Sequence, residues 1–158
     1  VGQEVTLALQ DLSGVEQTLA SLKGRVVVLN FLATYCIPCR TEMPDLAAIQ
    51  NEFAALGVQT IGASTDSAED RNKVLQFIKE TKINFPIWVG ASSADMIRFG
   101  LGAALPGTVV IGRDGRIARA ISGVVNQSEL RTLLNEIMKP TAVAKVEKRS
   151  AEVSSVPS

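Results

Sequence analysis

Val26-Val27-Val28-Leu29-Asn30-Phe31-Leu32 runs uncharged into Ala33-Thr34-Tyr35-Cys36, and Ile37-Pro38-Cys39-Arg40 follows at once. An almost unbroken β-branched and aliphatic run of this length is the signature of a strand covered on both faces in a sheet with parallel pairing. From Ile37 to Leu56 the apolar residues Met43, Leu46, Ile49 and Phe53 recur at helical spacing, and Gly57 stops the helix. A buried strand therefore hands directly to a helix, and the chain's two cysteines sit at the junction.

Downstream of this unit, Val58 to Ala63 reads as a second strand. Asp66, with Glu69 three residues on, reads as the N-cap of a helix that turns Val74, Phe77 and Ile78 inward and ends near Lys82. Phe85 to Val89 is a further strand, with Trp88 in its apolar pattern as a core residue, and Asp95 to Phe99 a short helix. Val109 to Arg113 and Arg116 to Ile121 flank Asp114-Gly115, a two-residue hairpin signal. Asn126 and Glu129 cap a closing helix whose Leu130, Leu133, Leu134, Ile137 and Met138 keep one face apolar. Capping also explains Asn126-Gln127-Ser128 better than its chance match to a glycosylation acceptor does.

Upstream, Glu4 to Gln10 and Val15 to Lys23 form a short lead-in strand and turn. A parallel βαβ half followed by an antiparallel ββα half makes the fold α/β with a mixed sheet. The expected domain covers residues 1–138, and residues 139–158, rich in Ala, Val, Ser and Lys, form a flexible tail.

At 158 residues, 46% hydrophobic and 20% charged, the chain fits one globular domain that buries roughly 70% of its unfolded surface. Its 16 basic and 16 acidic residues cancel, so no overall field recruits nucleic acid or an anionic membrane. The chain has no histidine, which removes Ser-His and Cys-His nucleophiles, imidazole acid/base chemistry and His metal sites. No stretch approaches the roughly 20 apolar residues of a membrane-spanning helix. The chain starts at Val1 rather than methionine and so reads as processed or trimmed, with any export signal or anchor lying outside it.

Chemistry concentrates at Cys36-Ile37-Pro38-Cys39. A sulfur placed where a strand ends and a helix begins meets unpaired N–H groups and the positive end of the helix dipole. Such placement lowers a cysteine pKa from about 8.5 to roughly 3.5–7.5, which makes Cys36 the candidate nucleophile. Cys39, one turn into the helix, is spaced to displace a mixed disulfide. Pro38 stiffens the bridge at little cost in the first turn, and Arg40 adds a positive charge nearby.

A C-x-x-C also occurs as half of a zinc site, but the chain offers no further Cys or His to complete four ligands. Two thiolates with Met43 nearby suit Cu(I), so a dithiol metal-binding module is the rival of another class.

Leu29 to Pro44, which reads LNFLATYCIPCRTEMP, resembles the active-site segment of the TlpA/ResA-like branch of thioredoxin-fold thiol-disulfide oxidoreductases. Leu105-Pro106-Gly107-Thr108-Val109-Val110-Ile111, followed by Asp114-Gly115, resembles that family's cis-proline loop and hairpin. The resemblance covers about Glu4 to Met138 and implies a thioredoxin-like fold: a mixed sheet flanked by helices, with a helix–strand segment inserted between its two halves. It implies Cys36 as the attacking and Cys39 as the resolving cysteine, Glu42 as an acidic residue that tunes the thiols, and a cis bond before Pro106. It also implies substrate contact at Tyr35, Pro38, Leu105 and Pro106.

Asn30 stands where cytosolic thioredoxins carry a buried aspartate, and Tyr35 where most relatives have tryptophan. Pro44, mid-helix, resembles the fold's kink proline. Three alternatives stay open. Glu42 has the alternative of a solvated helix residue and Pro106 that of an ordinary trans proline, while Asn30 reads equally as a side chain bonded to neighbouring backbone.

The function implied is electron exchange with protein disulfides or dithiols, without cofactor or metal, by a monomer served by an upstream redox partner protein. Relatives do this outside the cytoplasm, including in the maturation of cytochrome c. The enzymatic runner-up is a peroxiredoxin-like thiol peroxidase. Its P-x-x-x-T-x-x-C pattern, however, needs Pro and Thr where Leu29 and Ala33 stand.

Overall fold

The computed structural model describes residues 1–139. They fall into two compact units, Val1–Gln127 and the segment that begins at Ser128. The tail expected over residues 139–158 lies, from Pro140 on, outside the described residues.

Among the described residues seven strands form one mixed sheet: β1 (Ala8–Gln10), β2 (Glu16–Thr18), β3 (Val26–Leu32), β4 (Val58–Ser64), β5 (Ile87–Val89), β6 (Gly107–Ile111) and β7 (Ile117–Ser122). Their order is β2-β1-β5-β4-β3-β6-β7. β3 is central and buried along its whole length, parallel to β4 and antiparallel to β6. Burial on both faces is what its apolar run, broken only by Asn30, requires.

Odd-numbered residues of the central strands, among them Leu29, Phe31, Ile61 and Val109, join Trp88, Met96 and Phe99 in one core cluster. Phe31 and Phe99 meet edge to face with ring centroids 5.8 Å apart. The even face of β3 is turned to helix α1 (Ile37–Phe53), as the bond from Asn30 to Glu42 shows. Helix α2 (Arg71–Thr81) lies beside α1, with the Arg40 guanidinium 4.8 Å from the Phe77 ring centroid. Helix α3 (Ser93–Arg98) starts in a Ser92/Asp95 capping box. Helix α4 (Gln127–Met138) buries Leu130, Leu133 and Leu134 as its spacing predicts, and leaves Ile137 and Met138 of the same pattern half-buried.

Three local expectations need correction. Asp66 is not a helix cap: α2 begins at Arg71 after a 3₁₀ turn over Ala68–Asp70, and the Asp66 carboxylate is spent elsewhere. The β6–β7 connection is not a two-residue turn. Such a turn of type I′ needs positive φ at both central residues, and only Gly115 has it, at 81°. The Gly115 N–H donates to the Gly112 carbonyl, and the Gly112 N–H to the Arg116 carbonyl, closing a three-residue loop. The third correction concerns β5, which begins only at Ile87 because Pro86 has no N–H to give a ladder. Of β4, only Gly62–Ser64 pair with β5, so the lower half of β4 has a free edge, and the buried Gln50 amide fills it. Its Nε2 donates to the Val58 carbonyl at 3.3 Å and its Oε1 accepts the Thr60 N–H at 2.7 Å.

Candidate active site

β3 delivers the motif to the carboxyl end of the sheet, where open α/β sheets place their sites. Cys36 is the N-cap of α1, extended at φ −92° and ψ 109°, and its N–H donates to the Ala33 carbonyl. Its Sγ accepts the Cys39 N–H at 3.3 Å, so the sulfur takes one of the helix's unpaired donors. Cys36 and Cys39 form a disulfide with Cα atoms 5.3 Å apart. Burial divides the pair: Cys39 is 0% exposed, whereas Cys36 is half-exposed. Around Cys36, Tyr35, Ile37 and Pro38 are exposed, the first two at 72% and 76%.

Glu42 is the largest departure from an ordinary reading. It is 1% exposed. One carboxylate oxygen accepts the Asn30 Nδ2 at 2.7 Å and the other the Val125 N–H at 2.8 Å. Asn30 Nδ2 also donates to Thr108 Oγ1 at 3.0 Å. Asn30 thus bonds distant side chains rather than neighbouring backbone, and Glu42 is not a solvated helix residue.

Burial pushes the Glu42 carboxyl above its ordinary value of 4.5; the Val125 N–H and the Asn30 amide oppose the rise, and the Asp45 carboxylate adds to it. The folded value therefore exceeds the unfolded one, so this group's contribution to stability is complete below about 4.5 and is lost as pH rises through the folded value. Glu42→Gln, which carries no charge, is expected to gain stability relative to the parent protein as pH climbs through that window. Urea midpoints at a series of pH values measure the gain, and a difference that stays flat with pH refutes the burial cost.

A second buried carboxylate, Asp66, fixes the turn ahead of Cys36. Its oxygens accept the Thr34 N–H at 2.9 Å and the Thr34 hydroxyl at 2.8 Å, and the Ser64 hydroxyl donates to it as well. The Thr34 carbonyl takes the Arg40 guanidinium at 3.3 Å, while another nitrogen of Arg40 pairs with Glu80 at 2.8 Å. Arg40's charge is thus shared with Glu80 rather than reserved for the dithiol. The Tyr35 hydroxyl lies 3.2 Å from Thr65 Oγ1, on the same β4 loop.

The Leu105-Pro106 bond is cis. β6 starts at Gly107 opposite Phe31, which puts this loop at the end of the sheet where the cysteines lie. Pro106 is buried, its carbonyl takes the Gly123 N–H at 2.9 Å, and the Leu105 peptide groups have no partner among the described residues. The sequence singles out neither Asp66 in this role nor Thr108 and Val125, because each meets its partner far along the chain. Among the described residues no group of three or more Cys, Asp or Glu side chains could hold a metal ion, and no helix is long and apolar enough to cross a membrane.

A mixed sheet of this order, with a disulfide-forming C-x-x-C on a helix N-terminus, defines a thioredoxin-like thiol-disulfide oxidoreductase. Residues 1–120 match the AhpC/TSA family. The chain is 31% identical over 140 residues to the thiol-disulfide oxidoreductase ResA of Halalkalibacterium halodurans, spanning 89% of this chain and 77% of that one. It is 29% identical to ResA of Bacillus subtilis, over 84% and 72% of the two chains. The crystal structure of a thioredoxin-family thiol:disulfide interchange protein from Chlorobium tepidum superposes with a TM-score of 0.74 at 23% identity, covering 88% of this chain and 98% of that one. The chain belongs to the AhpC/TSA family and, within it, is a ResA-like thiol-disulfide oxidoreductase.

Proposed function

We propose that Cys36 is the attacking sulfur, Cys39 the resolving one and Glu42 the group that manages their protons, in exchange with protein disulfides outside the cytoplasm. The observation that carries this reading is the unequal burial of two sulfurs in one disulfide: a half-exposed Cys36 on the helix N-terminus, a fully enclosed Cys39 behind it. In the reducing direction the Cys36 thiolate bonds to one substrate sulfur and releases the other as thiolate. Cys39 then attacks Cys36 Sγ, closing the Cys36–Cys39 disulfide and releasing the second substrate sulfur. Two electrons pass to the substrate, and an upstream redox partner protein restores the dithiol.

Tyr35, Pro38, Leu105 and Pro106 form the contact surface, with the unpartnered Leu105 peptide offered to an extended segment of substrate. Likeness to ResA supports apocytochrome c as a substrate class and an extracytoplasmic setting. The working unit is a monomer whose domain covers residues 1–138. Reduction of insulin disulfides by the prereduced protein, followed by turbidity, tests the activity. Catalytic turnover is the expected outcome. No turnover, together with stoichiometric Cu(I) binding lost in Cys36→Ser, would transfer the dithiol to the metal-binding reading.

A further inference from the structure

Asn30 is wholly buried, and its two amide ends are treated unequally. Nδ2 makes both of the side chain's hydrogen bonds, to Glu42 and Thr108, while Oδ1 has no partner among the described residues. An orphaned buried acceptor is uncommon and calls for a reason. The other carboxylate oxygen of Glu42 receives a backbone N–H from Val125, a donor that cannot be reversed. When Glu42 takes up a proton, that proton therefore goes on the oxygen facing Asn30. There it would meet the N–H of Nδ2, donor against donor.

An amide resolves the conflict because its oxygen and nitrogen ends are nearly the same size. Turning it by half a revolution places Oδ1 where Nδ2 stood, ready to accept the carboxylic acid's O–H. Thr108 follows without moving, since its hydroxyl can donate as readily as accept. The missing Oδ1 partner lowers the cost of the turn: the two Nδ2 bonds are exchanged for two to Oδ1, and no bond at the other end has to break. An amide satisfied at both ends would be locked in one orientation.

We propose that Asn30 is a positioning residue for Glu42: it presents Nδ2 to the carboxylate and Oδ1 to the carboxylic acid, holding both protonation states in the same place. This rests on the reading of Glu42 as the proton-handling group of the dithiol. The arrangement would let Glu42 change charge without shifting its carboxyl. The ionisable groups around it are Asp45 on its own helix and the cysteines in the first turn of that helix. β3, β6 and the loop at Val125 contribute only Asn30, Thr108 and a peptide N–H.

The test is a pH titration of the ¹³C,¹⁵N-labelled disulfide form, following the Glu42 carboxyl carbon and the Asn30 side-chain amide by NMR. The Asn30 amide resonances are expected to move with the midpoint of the Glu42 carbon. In Glu42→Gln the Val125 N–H must keep the new amide's oxygen, so its NH₂ faces Asn30, and Asn30 is expected at its low-pH position at every pH. An Asn30 amide that stays still through the Glu42 midpoint, or one left at its high-pH position in Glu42→Gln, overturns the inference. The pH profile of Cys36 alkylation in the reduced protein separates the two readings. A profile indifferent to Glu42 beside a turning amide removes the proton-handling role alone, whereas a responsive profile beside a still amide removes only the role of Asn30.

Discussion

Cys36→Ser is expected to abolish disulfide exchange, with a loss of several orders of magnitude, and Cys39→Ser to stall the reaction with substrate attached. The asymmetry follows from exposure. Only a thiolate attacks a disulfide at a useful rate, and a serine hydroxyl at neutral pH is not a substitute. The chain has no third cysteine, and Cys39, at 0% exposed, cannot reach an incoming protein disulfide in place of Cys36. In Cys39→Ser the half-exposed Cys36 still attacks, but nothing behind it displaces the mixed disulfide, so the adduct accumulates. Non-reducing gels and intact mass after incubation with an oxidised protein substrate measure both outcomes. Adducts that form through Cys39 in Cys36→Ser would reverse the assignment of the two sulfurs.

What the sequence reveals about this site stops where contacts become remote. β3 runs over the residues its apolar pattern predicts, and α1 starts one residue after Cys36, because both signals are local: unbroken burial, then helical spacing. Glu42 is different. Its spacing from Cys39 is visible, but its burial depends on Asn30, 12 residues away, and Val125, 83 away. Polar residue types alone do not distinguish a solvated carboxylate from an enclosed one. Asp66 misleads for the same reason: an Asp with a Glu three positions on has the form of a cap, while its true partner, Thr34, is 32 residues back. The β6–β7 hairpin is legible as a hairpin but not in its loop length, since Asp114-Gly115 suits both a type I′ turn and the three-residue loop observed.

Asp66→Ala is expected to destabilise the protein by about 2–3 kcal/mol and to slow alkylation of reduced Cys36. The carboxylate, 5% exposed, accepts three donors: the Thr34 N–H, the Thr34 hydroxyl and the Ser64 hydroxyl. Each buried donor left without an acceptor costs roughly 1–3 kcal/mol, but Thr34 is only half-buried and water can restore part of its loss. The kinetic effect has its own origin. Asp66 holds the N–H and hydroxyl of Thr34 and Arg40 holds its carbonyl, so the residue two before the nucleophile is fixed from the ends of both β4 and α1. Cys36 in turn hangs from the Ala33 carbonyl and sets the first turn of α1, so release of Thr34 loosens the aim of the sulfur at the helix N-terminus. Asp66→Asn, which keeps one oxygen as acceptor, is expected to recover part of both losses. Urea midpoints and iodoacetamide rates on the two variants separate the effects: a destabilised Asp66→Ala whose Cys36 reacts at the parental rate would make Asp66 a brace for the β4 loop with no hold on the nucleophile.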